Sequence, residues 1–319
     1  MGQCKGLRLH CGNIPLFHCA GAVDNPARNP GKVKSGRMNL RYFPLDGTDF
    51  RLNMGLQALR NRSWIDTDQN HGRDVAEKSR LIRDHRDQVF AETSGSLPAQ
   101  QKIRQLVEDE LAANHRDITA RAPAKDEPSP LVQAALAVQE DLVLMRETDD
   151  GYTLAAACVC FPTGWNLPEK VGKVMQAIHQ PVPGLNPRIG NPIDRFFRNL
   201  RPGKKVERFN WGLYDSDALF QPGWWRRNRA VDTSITHHNV GEKIFFRVER
   251  QTLQRIDDNP DILFTIRIFN NSLAEVCEDK ARAERLLHGL QTMNADMRGY
   301  KSLPRYEPLI AEYLARAAD

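Results

Sequence analysis

The sequence predicts an α+β protein: a five-stranded antiparallel sheet with a helical crossover, helices on one face, and helical extensions at both ends. Three observations lead there. Residues 141–147 and 152–161 are two apolar, strand-like runs divided by Asp150-Gly151, a strong hairpin signal. Three later runs, 207–214, 243–256 and 262–269, are rich in the β-branched and bulky residues that strands favour, such as Val248, Leu253, Ile262, Phe264, Ile266 and Ile268. Helix-period patterns lie before residue 140, between the second and third strands, and after residue 271. Elements in that order make one sheet with helices layered on it.

Composition narrows the class. The 319 residues are 40% hydrophobic and 27% charged, an ordinary globular mixture that excludes extensive disorder. No run of 18 apolar residues exists, which excludes a membrane-spanning helix, and the opening MGQCKGLRLHCGNIPLFHCAGA does not read as a secretory signal. A net charge of +5 is too mild to predict nucleic-acid binding. Two basic concentrations, 195–208 and Arg226, Arg227 and Arg229, are either solvated faces or contacts for an acidic partner or a cofactor carboxylate. The six cysteines, Cys4, Cys11, Cys19, Cys158, Cys160 and Cys277, include no CxxC, so zinc and iron–sulfur motifs are absent. Cys158 and Cys160 read as buried small hydrophobes, and the expected compartment is the cytoplasm.

Along the chain, residues 1–37 lack any sustained period and read as a tail or leader, upstream of a start at Met38. Residues 38–139 form an N-terminal, mostly helical extension, with turns at Pro44 and Asp46-Gly47. Its helical runs cover 70–93, with Val75, Leu81, Ile82, Val89 and Phe90 spaced for a helix, and 103–111. A Pro-rich linker, 121–130, leads to a short helix over 131–140. The core then spans 140–270. After the hairpin, Asn166 can cap a helix, Pro168 suits its first turn, and Pro181 and Pro183 stop it after His179. Residues 186–200 continue irregular and helical, and Asp257-Asp-Asn-Pro260 turns the chain between the last two strands. The C-terminal helices, 271–319, open on the capping box Ser272-Leu-Ala-Glu275. A five-stranded sheet clasping a helical crossover is also the outline of a PAS domain.

No nucleophile elbow, P-loop, dinucleotide fingerprint or HExxH motif is present, so a bound cofactor is a more plausible carrier of chemistry than the side chains alone. His179 shares an apolar helix face with Met175 and Val171, either as a metal or haem ligand or as a core histidine bonded to a backbone carbonyl. His237-His238 reads as a solvated pair, and His71, His85, His115 and His288 as surface residues. On the strand Arg247-Val-Glu-Arg-Gln-Thr-Leu253, alternation turns Arg247, Glu249 and Gln251 one way and Val248, Arg250 and Thr252 the other. Arg267 on the neighbouring strand can join either set, as a surface ion-pair ladder or as a charged pocket for an anion or polar substrate. Trp165 and Trp211 read as core, and Trp224-Trp225 as a partner surface or flap.

Three stretches, CFPTGWNLPEKVGKVMQAIHQPVPGLNPRIGNPIDRFF, RFNWGLYDSDALF and FFRVERQTLQRIDDNPDILFTIRIF, resemble the haem-dependent oxidative N-demethylase alpha-subunit-like family, and FRLNMGLQALRNRSWIDTD does so more loosely. The resemblance runs from about residue 40 to 290. It implies a PAS-like fold holding haem b and oxygen-dependent demethylation of a small secondary amine such as dimethylamine. Electrons would come from NADPH through separate reductase subunits carrying FMN and a 2Fe-2S cluster. It makes His179 the expected iron ligand, with Val171, Met175 and Ile178 excluding water and Trp165 packing on the cofactor. Arg188, Arg195 and Arg198 are the expected cations for the haem propionates, and Glu249, with Arg247, Arg250 and Arg267, the expected dioxygen- and amine-handling set. The chain departs from the pattern at Asn70-His71, where an aromatic is expected after WIDTD, and carries no FMN, iron–sulfur or NADPH motif of its own. A haem gas sensor without turnover and an interaction protein that has lost haem are the competing readings; neither nucleic acid nor membrane is expected as a partner.

Overall fold

The computed structural model describes residues 40–119, 126–184, 191–223, 230–257, 259–301 and 305–319. The leader, the first half of the Pro-rich linker, Arg188, Trp224-Trp225 and the Arg226, Arg227 and Arg229 cluster lie outside them.

All five expected strands form. They are β3 (Asp141–Thr148), β4 (Gly151–Cys158), β5 (Lys205–Tyr214), β6 (Phe245–Arg255) and β7 (Ile262–Ser272). Two short strands extend the sheet beyond them: β1 (Gln57–Ala58) and β2 (Phe90–Glu92). The seven are antiparallel throughout, in the order β1-β5-β6-β7-β3-β4-β2. The two additions sit at the sheet edges, where very short strands limit further pairing. Their segments are too brief to show a period of two, and β2 falls inside the run expected to be helical.

The helices in chain order are α1 (His71–Asp84), α2 (Arg86–Val89), α3 (Leu97–Asn114), α4 (Arg116–Thr119), α5 (Pro130–Ala135), α6 (Met175–His179) and α7 (Asn191–Asn199). After β5 come α8 (Val240–Lys243), α9 (Leu273–Val276), α10 (Lys280–Gln291), α11 (Ala295–Tyr300) and α12 (Glu307–Ala318). Among the described residues no helix is long and apolar enough to cross a membrane.

Local chemistry sets the turns. Thr148 pairs with Gly151 across Asp149-Asp150, and Gly151 adopts φ 114°, a conformation open to glycine and costly for other residues. Ser272 accepts from the Glu275 amide, and the Glu275 carboxylate accepts from the Ser272 amide, completing the expected capping box.

Helices cover both faces of the sheet, not one. On the rear face, Leu142, Leu144, Ala156 and Cys158 pack under α1, α3 and α5, with Cys160 buried in the same cluster. On that same face Trp211, Leu213, Phe246, Val248 and Phe269 pack under α10 and α12. The front face carries Val143, Met145, Leu154 and Leu253, packed with Met175, Ile178, Ile193 and Phe197 of the β4–β5 crossover. That crossover, with α6 and α7, stands over the sheet and encloses the site.

The N-terminal extension is fastened to the rear face by buried charge. Arg250, 1% exposed, donates to Glu207 Oε2 (2.9 Å) and the Ser63 carbonyl (2.9 Å), and lies 3.7 Å from Asp66 Oδ2. Arg267 donates to Asp68 Oδ2 (2.9 Å) and the Asp66 carbonyl (3.1 Å) and lies 3.7 Å from Asp74. Buried charges persist only when paired in this way.

Candidate functional site

Between the front face of the sheet and the crossover lies a cavity of about 580 Å³, which extends around the β5 edge beneath residues 43–57. A volume of that size suits a cofactor-sized ligand. Its apolar lining is Val143, Met145 and Leu154 from β3 and β4, Leu253, Phe264 and Ile266 from β6 and β7, and Trp165, Met175, Ile178 and Phe196 from the crossover.

His179, at the end of α6, enters from the crossover side. Its Nδ1 lies 3.0 Å from the Met175 carbonyl oxygen, one turn back. A carbonyl can only accept, so Nδ1 carries the proton and Nε2 keeps its lone pair. Burial pushes the imidazole pKa down to about 4; the hydrogen bond to Met175 opposes this, and the cations Arg208 and Lys170 add to it. The ring is therefore neutral at neutral pH, the form that ligates metal. The native state binds this proton less readily than an unfolded histidine near 6.5, so the contribution to stability is present above pH 6.5 and lost as pH falls toward 4. In the haem-free protein the His179 ring resonances are expected to titrate with a midpoint near 4; an NMR titration with a midpoint near 6.5 would contradict the buried, neutral ring.

The sheet supplies polar groups on the opposite wall. Strand register pairs Asn210 with Glu249 and Arg208 with Gln251, and two-residue alternation turns all four to the front face. Asn210 Nδ2 and Gln251 Nε2 both donate to Glu249 Oε2, at 3.2 and 2.7 Å. Neither uses Oε1. Arg208 also lines the cavity, and its buried Nε has no hydrogen-bond partner among the described residues. Burial lowers its pKa from the ordinary value, with the Glu249 carboxylate pulling back.

The other expected site residues separate. Trp165 lines the cavity, while Val171 packs in the same apolar cluster. Arg195 is exposed, and Arg198 points to the surface, donating to Glu147 Oε1 at 3.0 Å. Arg247 shares the front face with Glu249, but its guanidinium donates to Thr163 Oγ1 and to the carbonyls of Phe161, Ala218 and Leu219, at 2.9–3.0 Å. It ties two loops together beyond the cavity. Arg250 and Arg267 lie on the rear face, so the expectation that all four charged residues share one pocket is corrected to Glu249 alone. His237 does sit at the surface, 2.8 Å from Glu312, but His71 is buried with Nε2 3.0 Å from the Ala137 carbonyl.

A family model described as "Haem-dependent oxidative N-demethylase, alpha subunit-like" matches residues 113–311, more than half of the chain. The chain belongs to this family. The matched range takes in β3 to β7, the crossover with His179, and the polar wall of Arg208, Asn210, Glu249 and Gln251. Family membership brings haem dependence, an oxidative N-demethylase type of activity and a multi-subunit assembly in which an alpha subunit takes part. The loosely resembling stretch 50–68 precedes the matched range.

The residues present fit the haem that this N-demethylase family requires. One neutral imidazole with a free Nε2 stands beside the apolar part of the cavity wall, its other nitrogen fixed by a carbonyl as iron-ligating histidines commonly are. Arg208 brings an orphaned buried N–H, and Lys170, whose Nζ donates to the Ile178 carbonyl at 2.7 Å, lines the same cavity. Sequence reasoning did not single out Lys170, and it included Arg208 only within the basic stretch 195–208, for which a cofactor carboxylate was one of the open readings. Arg208 was visible only as the end of a basic stretch; its place on an inward-facing strand position depends on register with β6. Residues 43–57 show no periodic signal, and only packing reveals that they roof the cavity.

Proposed function

We propose that this chain is the haem-carrying subunit of an oxygen-using N-demethylase that acts on a small secondary amine of the dimethylamine kind. The observation that carries the proposal is the pairing of walls: a neutral His179 on the crossover side and a carboxylate with one uncommitted oxygen on the sheet side of the same cavity. The five central strands, side by side with the crossover on one face, support a PAS-like reading of the core.

His179 Nε2 would hold the iron, and Arg208 and Lys170, two of the cations that line the cavity, would meet the haem carboxylates. Trp165, Met175 and Ile178 exclude water from that space. When bound, haem supplies the redox chemistry with dioxygen. Electrons come from separate reductase subunits carrying NADPH-reduced FMN and a 2Fe-2S centre, since the chain has no motif for them. Glu249 Oε1 accepts from the N–H of the substrate ammonium, a charge-assisted bond that orients its methyl groups into the apolar part of the cavity. Asn210 and Gln251 hold the carboxylate by its other oxygen, so Glu249 needs no reorientation when the amine arrives.

The test is a visible spectrum of the purified chain, oxidised and dithionite-reduced, titrated with dimethylamine. A Soret band that shifts with the amine is expected; a Soret band indifferent to amines returns the chain to a gas-sensing role, and no Soret band after haem is supplied removes the enzyme reading. Glu249→Gln is expected to weaken dimethylamine binding roughly 10- to 100-fold while leaving haem content intact, the loss of one hydrogen bond to a charged group at about 1.5–3 kcal/mol. An unchanged dissociation constant in that titration would remove Glu249 from the amine site.

A further inference from the structure

Gly212 is the residue of the front face that backbone conformation does not explain. It lies mid-strand in β5 and is not among the positive-φ glycines, so its dihedrals suit any residue. Glycine in a strand interior weakens the strand unless something approaches its backbone closely. Here the approach is made by Tyr214. A Cβ at Gly212 would stand 2.6 Å from Tyr214 Oη and 2.9 Å from both Cε2 and Cζ. The Tyr214 ring thus doubles back along its own strand and occupies the place where a side chain at 212 would project.

That place has a defined neighbour. Asn210, two residues earlier on the same face, pairs with Glu249, and Gly212 pairs with Arg247. Successive positions on one face of a strand are about 7 Å apart. The phenol therefore fills the front-face position next to the Asn210–Glu249 pair, at the point of the strand that registers with Arg247. Tyr214 lines the cavity and is itself 8% exposed, so it forms a packed wall.

We propose that Tyr214, seated by Gly212, is the specificity-determining wall of the amine site and restricts the substrate to small N-substituents. This rests on the amine-oxidising reading of the cavity. An amine held at Glu249 Oε1 with a methyl group toward Tyr214 fits, and a longer alkyl chain in that direction meets the ring. Gly212 matters because any larger residue would displace the phenol from this position.

The experiment compares dimethylamine with N-methylbutylamine as ligands of the haem-loaded full chain, by Soret titration and by calorimetry. Wild type is expected to prefer dimethylamine. Tyr214→Ala is expected to reduce that preference about tenfold or more, the scale on which a pocket discriminates alkyl length, with haem content unchanged. Tyr214→Phe, which keeps the ring, is expected to keep the preference. Tyr214→Leu serves as a second, better-filled opening of the wall, with a reduction in the same direction. A ratio of affinities within about twofold of wild type in the folded, haem-loaded Tyr214→Ala and Tyr214→Leu variants overturns the proposal while leaving the amine site standing. A wild-type chain that binds haem but neither amine overturns both.

Discussion

Replacing His179 with alanine is expected to abolish stable haem retention, with a loss of affinity of roughly 100-fold or more. Removing only the outer partner of a metal-bound histidine typically costs 10- to 100-fold, and this change removes the ligand itself. The expectation follows from three features of one side chain. It lines the cavity, its Nδ1 is committed to the Met175 carbonyl, and burial keeps the ring neutral. Haem content by pyridine haemochrome, together with the Soret position, reads the result directly. Full haem content with an unmoved Soret band in His179→Ala would take the iron away from this residue. Added imidazole is expected to restore the spectrum of His179→Gly, because a free imidazole can re-enter the space the side chain leaves; a cavity merely distorted by the substitution would not respond.

Arg250→Ala is expected to destabilise the fold by about 3–5 kcal/mol, the typical cost of leaving a buried charge unpaired. Arg250 is 1% exposed and faces Glu207, itself fully buried, with Asp66 3.7 Å away. Alanine at 250 would strand those carboxylates beneath the N-terminal extension. Urea unfolding at pH 7 measures the change, and a loss below about 1 kcal/mol would mean that the network is not structural. The fraction that stays folded is expected to bind haem with an unaltered Soret band, since Arg250 stands behind the sheet. The companion pair responds to acid. Asp68 is held below the ordinary carboxylate range: burial pushes it up, but Arg267 and two hydrogen bonds outweigh that. Its contribution to stability is therefore present above about pH 4 and fades as pH falls through the lowered folded value.

Much of the fold was legible because it rests on local chemistry. Asp150-Gly151 turns a hairpin wherever strand-prone residues flank it, and Ser272 with Glu275 caps a helix using atoms three residues apart. The edge strands were not legible for the opposite reason. Gln57 pairs with Glu207 and Phe90 with Cys158, so each strand exists only because a partner far along the chain presents an open edge.

The candidate site divides in the same way. Alternation on β6 determined, from sequence alone, that Glu249 and Gln251 share a face and that Arg250 looks the other way; of the helix expected from Asn166 to His179 only α6 at Met175–His179 forms, after a short 3-10 turn at Leu167–Glu169, and it carries His179 on the crossover. Tertiary structure alone decided which face the crossover covers. A strand's period relates its own residues to one another but carries no information about what lies above or below it. Covering the front face made Glu249 a cavity residue, set Arg208 opposite His179, and consigned Arg250 and Arg267 to the rear, where Asp66, Asp68, Asp74 and Glu207 neutralise them. Each of those contacts, the Arg250–Glu207 pair apart, joins groups more than 180 residues apart in sequence, and a charge identifies its partner at that separation only once the chain has folded.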